Sequence, residues 1–178
     1  MSNISLGIDH LEKLKGKEWL ANKLSWDLDS VKELGMYFTN LENDISTYLR
    51  YHQQQPSNLH ADTQRECYRL RSRSYALGHL MRVIHDSYPD SDEISMPPTV
   101  LQAFTILMQQ VKSLKSSSSS SLNEYKYNFQ EQTLKIKALN TAMENFESNL
   151  WDAFNLSAEY VTIGIADNLF VIENYFLN

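Results

Sequence analysis

Apolar side chains recur along this chain at alternating steps of three and four residues, and the longest such row runs from Leu122 to Ala153. Only Gln132 interrupts the row, and the positions between are mostly Asn, Glu, Gln, Lys, Thr and Ser. This spacing places the apolar residues on one face of a long helix. Because one helix cannot bury its own apolar face, the row predicts a helical bundle or a coiled coil. The apolar positions are Leu122, Tyr125, Phe129, Ile136, Leu139, Met143, Phe146, Leu150 and Ala153.

The N-terminal part of the chain carries the same period in two stretches. Asp9 and Glu12 resemble a capping box and predict a helix over about residues 10–22. Ser25 is the predicted N-cap of the next helix. That helix should end before Pro56, because the residue preceding a proline is disfavoured in the α region.

Prolines mark the boundaries of the following two helices. A third helix is predicted over residues 62–87 and is ended by Pro89. Residues 89–96 contain Asp and Glu side chains and are predicted to form a solvated loop. Pro97 and Pro98 predict the first turn of a fourth helix, where the missing N–H costs nothing.

Six consecutive serines, residues 116–121, leave two interpretations of the chain between the fourth helix and the long apolar row. In the first, the serines form a hinge or loop, and Ser121 with Glu124 forms a capping box that begins a new helix. In the second, the spacing of three and four continues through the serines, and one helix runs from Pro98 into the 150s. Serine costs a helix only about half a kcal/mol relative to alanine. We favour the loop, which makes the flanking helices a hairpin.

These elements predict one domain over residues 1–178, with residues 1–8 flexible. The predicted fold class is all-α, an elongated antiparallel helical bundle or coiled coil of four to six helices. The chain contains only five glycines and four prolines. This scarcity disfavours a β-sandwich or barrel, because those folds need many turns.

The C-terminal segment, residues 150–178, is richer in apolar side chains than one helix face can hold. We predict an apolar helical segment that must be enclosed by its own bundle or by another molecule. From residue 138 onward there are six acids and no Lys or Arg, which favours a basic counterpart. We therefore predict self-association or binding of a helical protein partner. The predicted interaction residues are Trp151, Phe154, Tyr160, Ile163, Leu169, Phe170, Tyr175 and Phe176.

Arg65, Arg69 and Arg73 recur every four residues and should line one flank of the third helix. The functional interpretation is a contact surface for an anion, or for the acidic C-terminal segment of a second copy. The alternatives are a solvated flank and pairing with acids of the same bundle. The net charge of −6 disfavours nucleic-acid binding.

Candidate catalytic and metal-binding residues are few. His79 and His85 share a predicted helix, and their spacing of six places them on different faces, which does not suit a metal site. The single cysteine, Cys67, lies among apolar positions and is predicted to be a buried, inert thiol rather than a nucleophile. The sequence has no Gly-rich phosphate loop and no nucleophile elbow. We predict that the protein is not an enzyme and uses no metal or other cofactor.

The start of the chain lacks a basic stretch followed by an apolar one, so an ordinary secretory signal peptide is not predicted. No apolar run is long enough to predict a transmembrane helix; the closest, residues 160–177, contains Asp167 and Glu173. Localisation therefore stays open between the cytoplasm and export without a cleaved signal peptide.

The segment Asn140-Thr-Ala-Met-Glu-Asn145-Phe146-Glu-Ser-Asn149-Leu150 resembles the C-terminal coiled-coil helix of type III secretion needle-tip and filament proteins. Met96-Pro97 followed by Val100 resembles the segment that enters this region, and the similarity covers residues 96–157. The start, rich in Ser and Asn, is similar to an uncleaved type III export signal.

This resemblance implies a secreted structural or translocation-associated subunit of a type III secretion system, which self-associates through its C-terminal helix. The alternative is a cytoplasmic adaptor, chaperone or regulator that binds a partner through its apolar helical surface. Both functions belong to non-enzymatic interaction proteins.

Overall fold

The computed structural model describes residues 8–54, 56, 59–119 and 124–154 of the chain. Within these residues it contains five α-helices, and this confirms the all-α prediction. They are α1 (Asp9–Lys15), α2 (Leu28–Gln53), α3 (Ala61–Asp86), α4 (Pro98–Ser113) and α5 (Thr133–Ala153). Two short 3-10 helices span Glu18–Asn22 and Phe129–Gln132. The strands are β1 (Ser25–Asp27), β2 (Glu93–Ser95), β3 (Ser116–Ser119) and β4 (Glu124–Tyr127), which pair antiparallel as β1 with β2 and β3 with β4.

The five helices form a closed ring in which each helix packs against two others. In order around the ring, α1 contacts α2, α2 contacts α3, α3 contacts α5, α5 contacts α4, and α4 contacts α1. Each apolar face is therefore covered by neighbouring helices of the same chain, as an amphipathic helix requires.

The bundle is antiparallel between α2 and α3 but parallel between α3 and α5. Arg71 on α3 pairs with Glu42 on α2. Further along α2, Gln53 donates a hydrogen bond to Tyr68, which lies earlier on α3, so the two helices run in opposite directions. Contacts between α3 and α5 instead advance together along both helices, from Glu66 with Asn140 to Arg73 with Glu147. The long crossover through α4 and the β3–β4 hairpin makes this parallel pair possible. α4 and α5 are again antiparallel, since Phe104 meets Phe146 and Lys135 binds the Ser113 carbonyl, so the parallel α3–α5 pair lies within an antiparallel bundle as predicted.

Three aromatic side chains link β1, α4 and α5. The Trp26 ring lies 4.9 Å from the Phe104 ring, which lies 5.6 Å from the Phe146 ring. All three side chains are fully buried. The Trp26 Nε1–H donates to the Leu20 carbonyl at 2.9 Å, so the one polar group of this cluster is satisfied.

The first two helices begin and end differently from the sequence prediction. α1 ends at Lys15 with Gly16 as its C-cap, and only a short 3-10 helix follows, so the single helix predicted over residues 10–22 is wrong. Ile8, not Asp9, occupies the N-cap of α1, and no side chain caps it. Asp27 caps α2, because its carboxylate accepts from the Ser30 N–H and hydroxyl, whereas the predicted cap Ser25 lies in β1.

The helix boundaries that were predicted from the positions of the prolines are confirmed. α2 ends at Gln53, before Pro56, and α4 begins with Pro98 directly after its N-cap Pro97. The loop predicted over residues 89–96 is only partly solvated, since Ile94 is buried in β2 opposite Trp26.

Four residues of the serine run, Ser116–Ser119, form a strand of a β-hairpin, so the interpretation as one continuous helix is wrong. β3 contains Ser116 to Ser119 and pairs with Glu124 to Tyr127. The predicted capping box at Glu124 is also wrong, because α5 begins only at Thr133. The buried Gln132 marks this change. Its side-chain amide binds both the N–H and the carbonyl of Lys115, and so it joins the base of the hairpin to the start of α5.

Candidate functional site

The arginine row on α3 faces α5 and is paired within the same chain. Arg73 binds Glu144 at 2.8 Å and Glu147 at 3.2 Å. Arg69 binds Glu66 at 3.1 Å and lies 3.6 Å from Glu144. The structure therefore supports the alternative in which these arginines pair with acids of their own bundle. Glu144 and Glu147, two of the six acids expected to favour a basic partner, are engaged internally.

Arg65 is the exception in this row. Its guanidinium is more than half exposed and binds the exposed carboxylate of Asp62 at 3.1 Å, one turn earlier on α3. Such an exposed pair contributes little to stability, because water and salt screen it. Of the three predicted arginines, Arg65 alone keeps most of its surface open to solvent.

A buried polar contact lies beneath the arginine pairs. Asn140 is fully buried on α5, and its Nδ2 donates to the Glu66 carbonyl at 2.9 Å and to the Glu66 carboxylate at 3.1 Å. The Asn140 Oδ1 atom has no hydrogen-bond partner in the part of the chain that the structure describes. Burial raises the pKa of Glu147, against the opposing effect of the Arg73 guanidinium. These contacts recur along the parallel pair of helices and set its register.

The C-terminal residues predicted to bind a partner divide into two groups. Trp151 is partly buried and packs against the core. Phe154 is buried, with its ring 6.3 Å from the Tyr88 ring. Both therefore contribute to the folding of their own chain. The others, Tyr160, Ile163, Leu169, Phe170, Tyr175 and Phe176, lie outside the described residues.

The side chains that could support chemistry are buried in the core or paired with a neighbour. Cys67 is fully buried, and burial raises the pKa of its thiol, so the prediction of a buried thiol is confirmed. The Tyr48 hydroxyl accepts from the Phe129 N–H at 3.2 Å, and burial raises its pKa too. His85 contacts Asp86 at 3.0 Å on the surface. Among the described residues, no three His, Cys, Asp or Glu side chains come together as a metal site would need.

A groove at the contact of α2 and α3 was missed by the sequence analysis. Gly35 and Gly78 form its floor, and Lys32, Met36 and Arg82 are among the side chains that line it. Its volume is about 420 Å³. The available sequence signal was one glycine inside each of two helices, since glycine in a helix interior is unfavourable unless close packing requires it.

No helix in the described part of the chain has the length and hydropathy needed to cross a membrane. Comparisons with protein-family models, with curated proteins and with solved structures found no match to this chain. The function must therefore be inferred from the residues and contacts described above.

Proposed function

We propose that this chain is a non-enzymatic helical protein that binds another protein, or a second copy of itself, through its apolar C-terminal segment. The observation that carries the proposal is the closed ring of helices. Each helix of the ring has its apolar face covered by two neighbours. Residues 155–178 add twelve large apolar side chains to a core whose helices already cover one another. A segment with that many apolar side chains is typical of segments that associate with another molecule.

The charge of this segment defines the partner further. Glu144 and Glu147 are both ion-paired with Arg73. Asp152, Glu159, Asp167 and Glu173 remain, in a stretch that contains no Lys or Arg. A partner surface that combines apolar side chains with positive charge complements such a segment, and its charge would mainly increase the association rate and the specificity.

The more specific form of the proposal is a secreted structural or translocation-associated subunit of a type III secretion system. It depends on the resemblance of residues 140–150. In that motif Phe146 and Leu150 are buried in the bundle, and Asn149 donates to the Asn145 carbonyl on the surface. Since the apolar face of α5 is occupied, self-association would use residues after Phe154 and not the α5 face.

The proposal is tested by comparing the full chain with a chain truncated after Phe154. We expect light scattering at matched concentration to show oligomers, or a complex with a partner, for the full chain but not for the truncated chain. The truncated chain should be a monomer that keeps its unfolding midpoint. A full-length variant with Phe170→Glu and Phe176→Glu serves as the control for chain length, and it should also lose association. If both chains are monomers and truncation lowers stability by several kcal/mol, the segment is core and the proposal fails.

A second experiment distinguishes the two forms of the function. Appearance of the protein in the culture supernatant, lost when the type III apparatus is inactivated, supports the secreted subunit. A soluble one-to-one complex with a protein encoded nearby, without secretion, supports an adaptor, chaperone or regulator. Both outcomes agree with a protein that binds another protein. Only the second outcome excludes the type III secretion subunit.

A further inference from the structure

The backbones of α2 and α3 approach each other closely at two glycines. A Cβ atom placed on Gly78 would lie 3.0 Å from the Gly35 carbonyl oxygen and 2.9 Å from the Thr39 nitrogen. A groove of about 420 Å³ lies beside this crossing, and both glycines are part of its lining. This volume lies within the range of about 300–1,000 Å³ that is usual for small-molecule sites.

Two cations line this groove without an ion pair of their own. Lys32 on α2 and Arg82 on α3 are both exposed and have no ion-pair partner among the residues that the structure describes. On the same two helices, by contrast, Arg71 binds Glu42, and Arg73 binds Glu144. The cations of the groove are therefore available to a ligand.

The rest of the lining is partly apolar and carries one acid. Met36 on α2 is half exposed and supplies an apolar wall next to the glycine floor. Asp86 is the acid, and its carboxylate contacts the His85 ring at 3.0 Å. Lys32, Arg82 and Asp86 together give the described lining one net positive charge.

We propose that this groove binds a small organic anion. The anionic group lies between the Lys32 ammonium and the Arg82 guanidinium. The guanidinium has two parallel N–H donors, which can bind two oxygens of a carboxylate, sulfonate or phosphate. The apolar part of the ligand covers Met36 and the floor at Gly35 and Gly78. The site is independent of the protein-binding function proposed above, since it uses no residue after position 150.

The test uses 8-anilinonaphthalene-1-sulfonate, which joins a sulfonate to aromatic rings, as the probe for the full-length protein. The chain has five glycines, so glycine-selective nitrogen-15 labelling gives one assignable amide signal for each. We expect saturable shifts of the Gly35 and Gly78 signals, with those of Gly7 and Gly16 unchanged.

Charge variants show whether the two cations bind the probe. Lys32→Gln combined with Arg82→Gln should weaken binding about tenfold, as expected for the loss of two partly screened charge-assisted contacts. Lys23→Gln combined with Lys137→Gln is the matched control. Both lysines are exposed and lie outside the groove, and the two substitutions remove the same total charge. The control should change the dissociation constant less than about twofold.

A neutral analogue, N-phenyl-1-naphthylamine, separates an anion site from a merely apolar surface. We expect the neutral probe to bind more weakly and to respond equally to both pairs of substitutions. The proposal is overturned if the sulfonate shifts only Gly7, Gly16 or Gly164, if both variant pairs weaken it equally, or if the neutral probe shifts Gly35 and Gly78 as strongly as the sulfonate does.

Discussion

Replacing Gly78 by alanine should destabilise the protein, although alanine is the better helix former. The new Cβ would collide with Thr39 Oγ1 and would lie 2.9 Å from the Thr39 nitrogen and 3.0 Å from the Gly35 carbonyl oxygen. The Thr39 hydroxyl can rotate away only by giving up its 2.9 Å hydrogen bond to the Gly35 carbonyl. The two backbone atoms have no such freedom, so α2 and α3 must move apart.

The magnitude follows from three effects. Alanine favours a helix interior over glycine by about 1 kcal/mol. Overpacking a tight contact costs about 1–3 kcal/mol, because separated helices lose contacts along their length. Loss of the Thr39 hydrogen bond costs about 1 kcal/mol more. We therefore expect Gly78→Ala to lower the free energy of unfolding by about 2 kcal/mol, against the sign of its helix propensity.

Urea denaturation followed by far-ultraviolet circular dichroism measures this loss as a lower midpoint with an unchanged slope. Gly35→Ala is the matched control on the facing helix. Its Cβ would meet Met81 Cβ at 3.3 Å and the Gly78 carbonyl at 3.4 Å, so its effect should be within about 1 kcal/mol of zero. Thr39→Ala should recover part of the loss in the Gly78→Ala background. A Gly78→Ala protein as stable as the unsubstituted chain would refute the close approach of α2 and α3.

Three further predictions concern the core and its buried ionisable groups. Leu139→Ala and Phe146→Ala should each cost about 2–5 kcal/mol in denaturant unfolding, since both side chains are buried; losses below about half a kcal/mol would contradict their place in the core. Glu147→Gln should gain stability relative to the unsubstituted chain as pH rises. Burial raises the folded-state pKa of Glu147, so its unfavourable contribution develops between the unfolded and folded pKa values, above about pH 4.5; urea midpoints across that range check the sign, and a reversed trend would refute it. Cys67 should react with a thiol reagent only as fast as the protein unfolds, because its thiol is buried and its pKa is raised; reaction at the rate of a free thiol would show an accessible site.

The helices and much of the core could be predicted from local sequence. Apolar spacing placed Ile136, Leu139, Met143, Phe146 and Leu150 on one face, and all five are buried. Prolines placed the end of α2 and the start of α4 within a few residues. These predictions succeed because helical periodicity and proline geometry depend only on neighbouring residues.

The same spacing failed where distant contacts competed with helix formation. Tyr125 and Phe129 continue the apolar row, yet they lie in β4 and a 3-10 helix. Gln132 looked like an interruption of the row, and in the structure its side-chain amide binds the backbone of Lys115. A polar residue that satisfies a backbone segment from another element cannot be recognised from the periodicity of its own segment.

The sequence by itself determined which residues are apolar, where most of the long helices lie, and that a row of arginines is separated from an acidic C-terminal segment. The tertiary structure alone decided how those charges are used. Arg73 and Glu147 are 74 positions apart, and they meet because α3 and α5 run parallel. It also brought Gly35 and Gly78 together to form the floor of a groove. Such pairings depend on the direction and register of helices joined by long connections, which the packing of the whole chain sets.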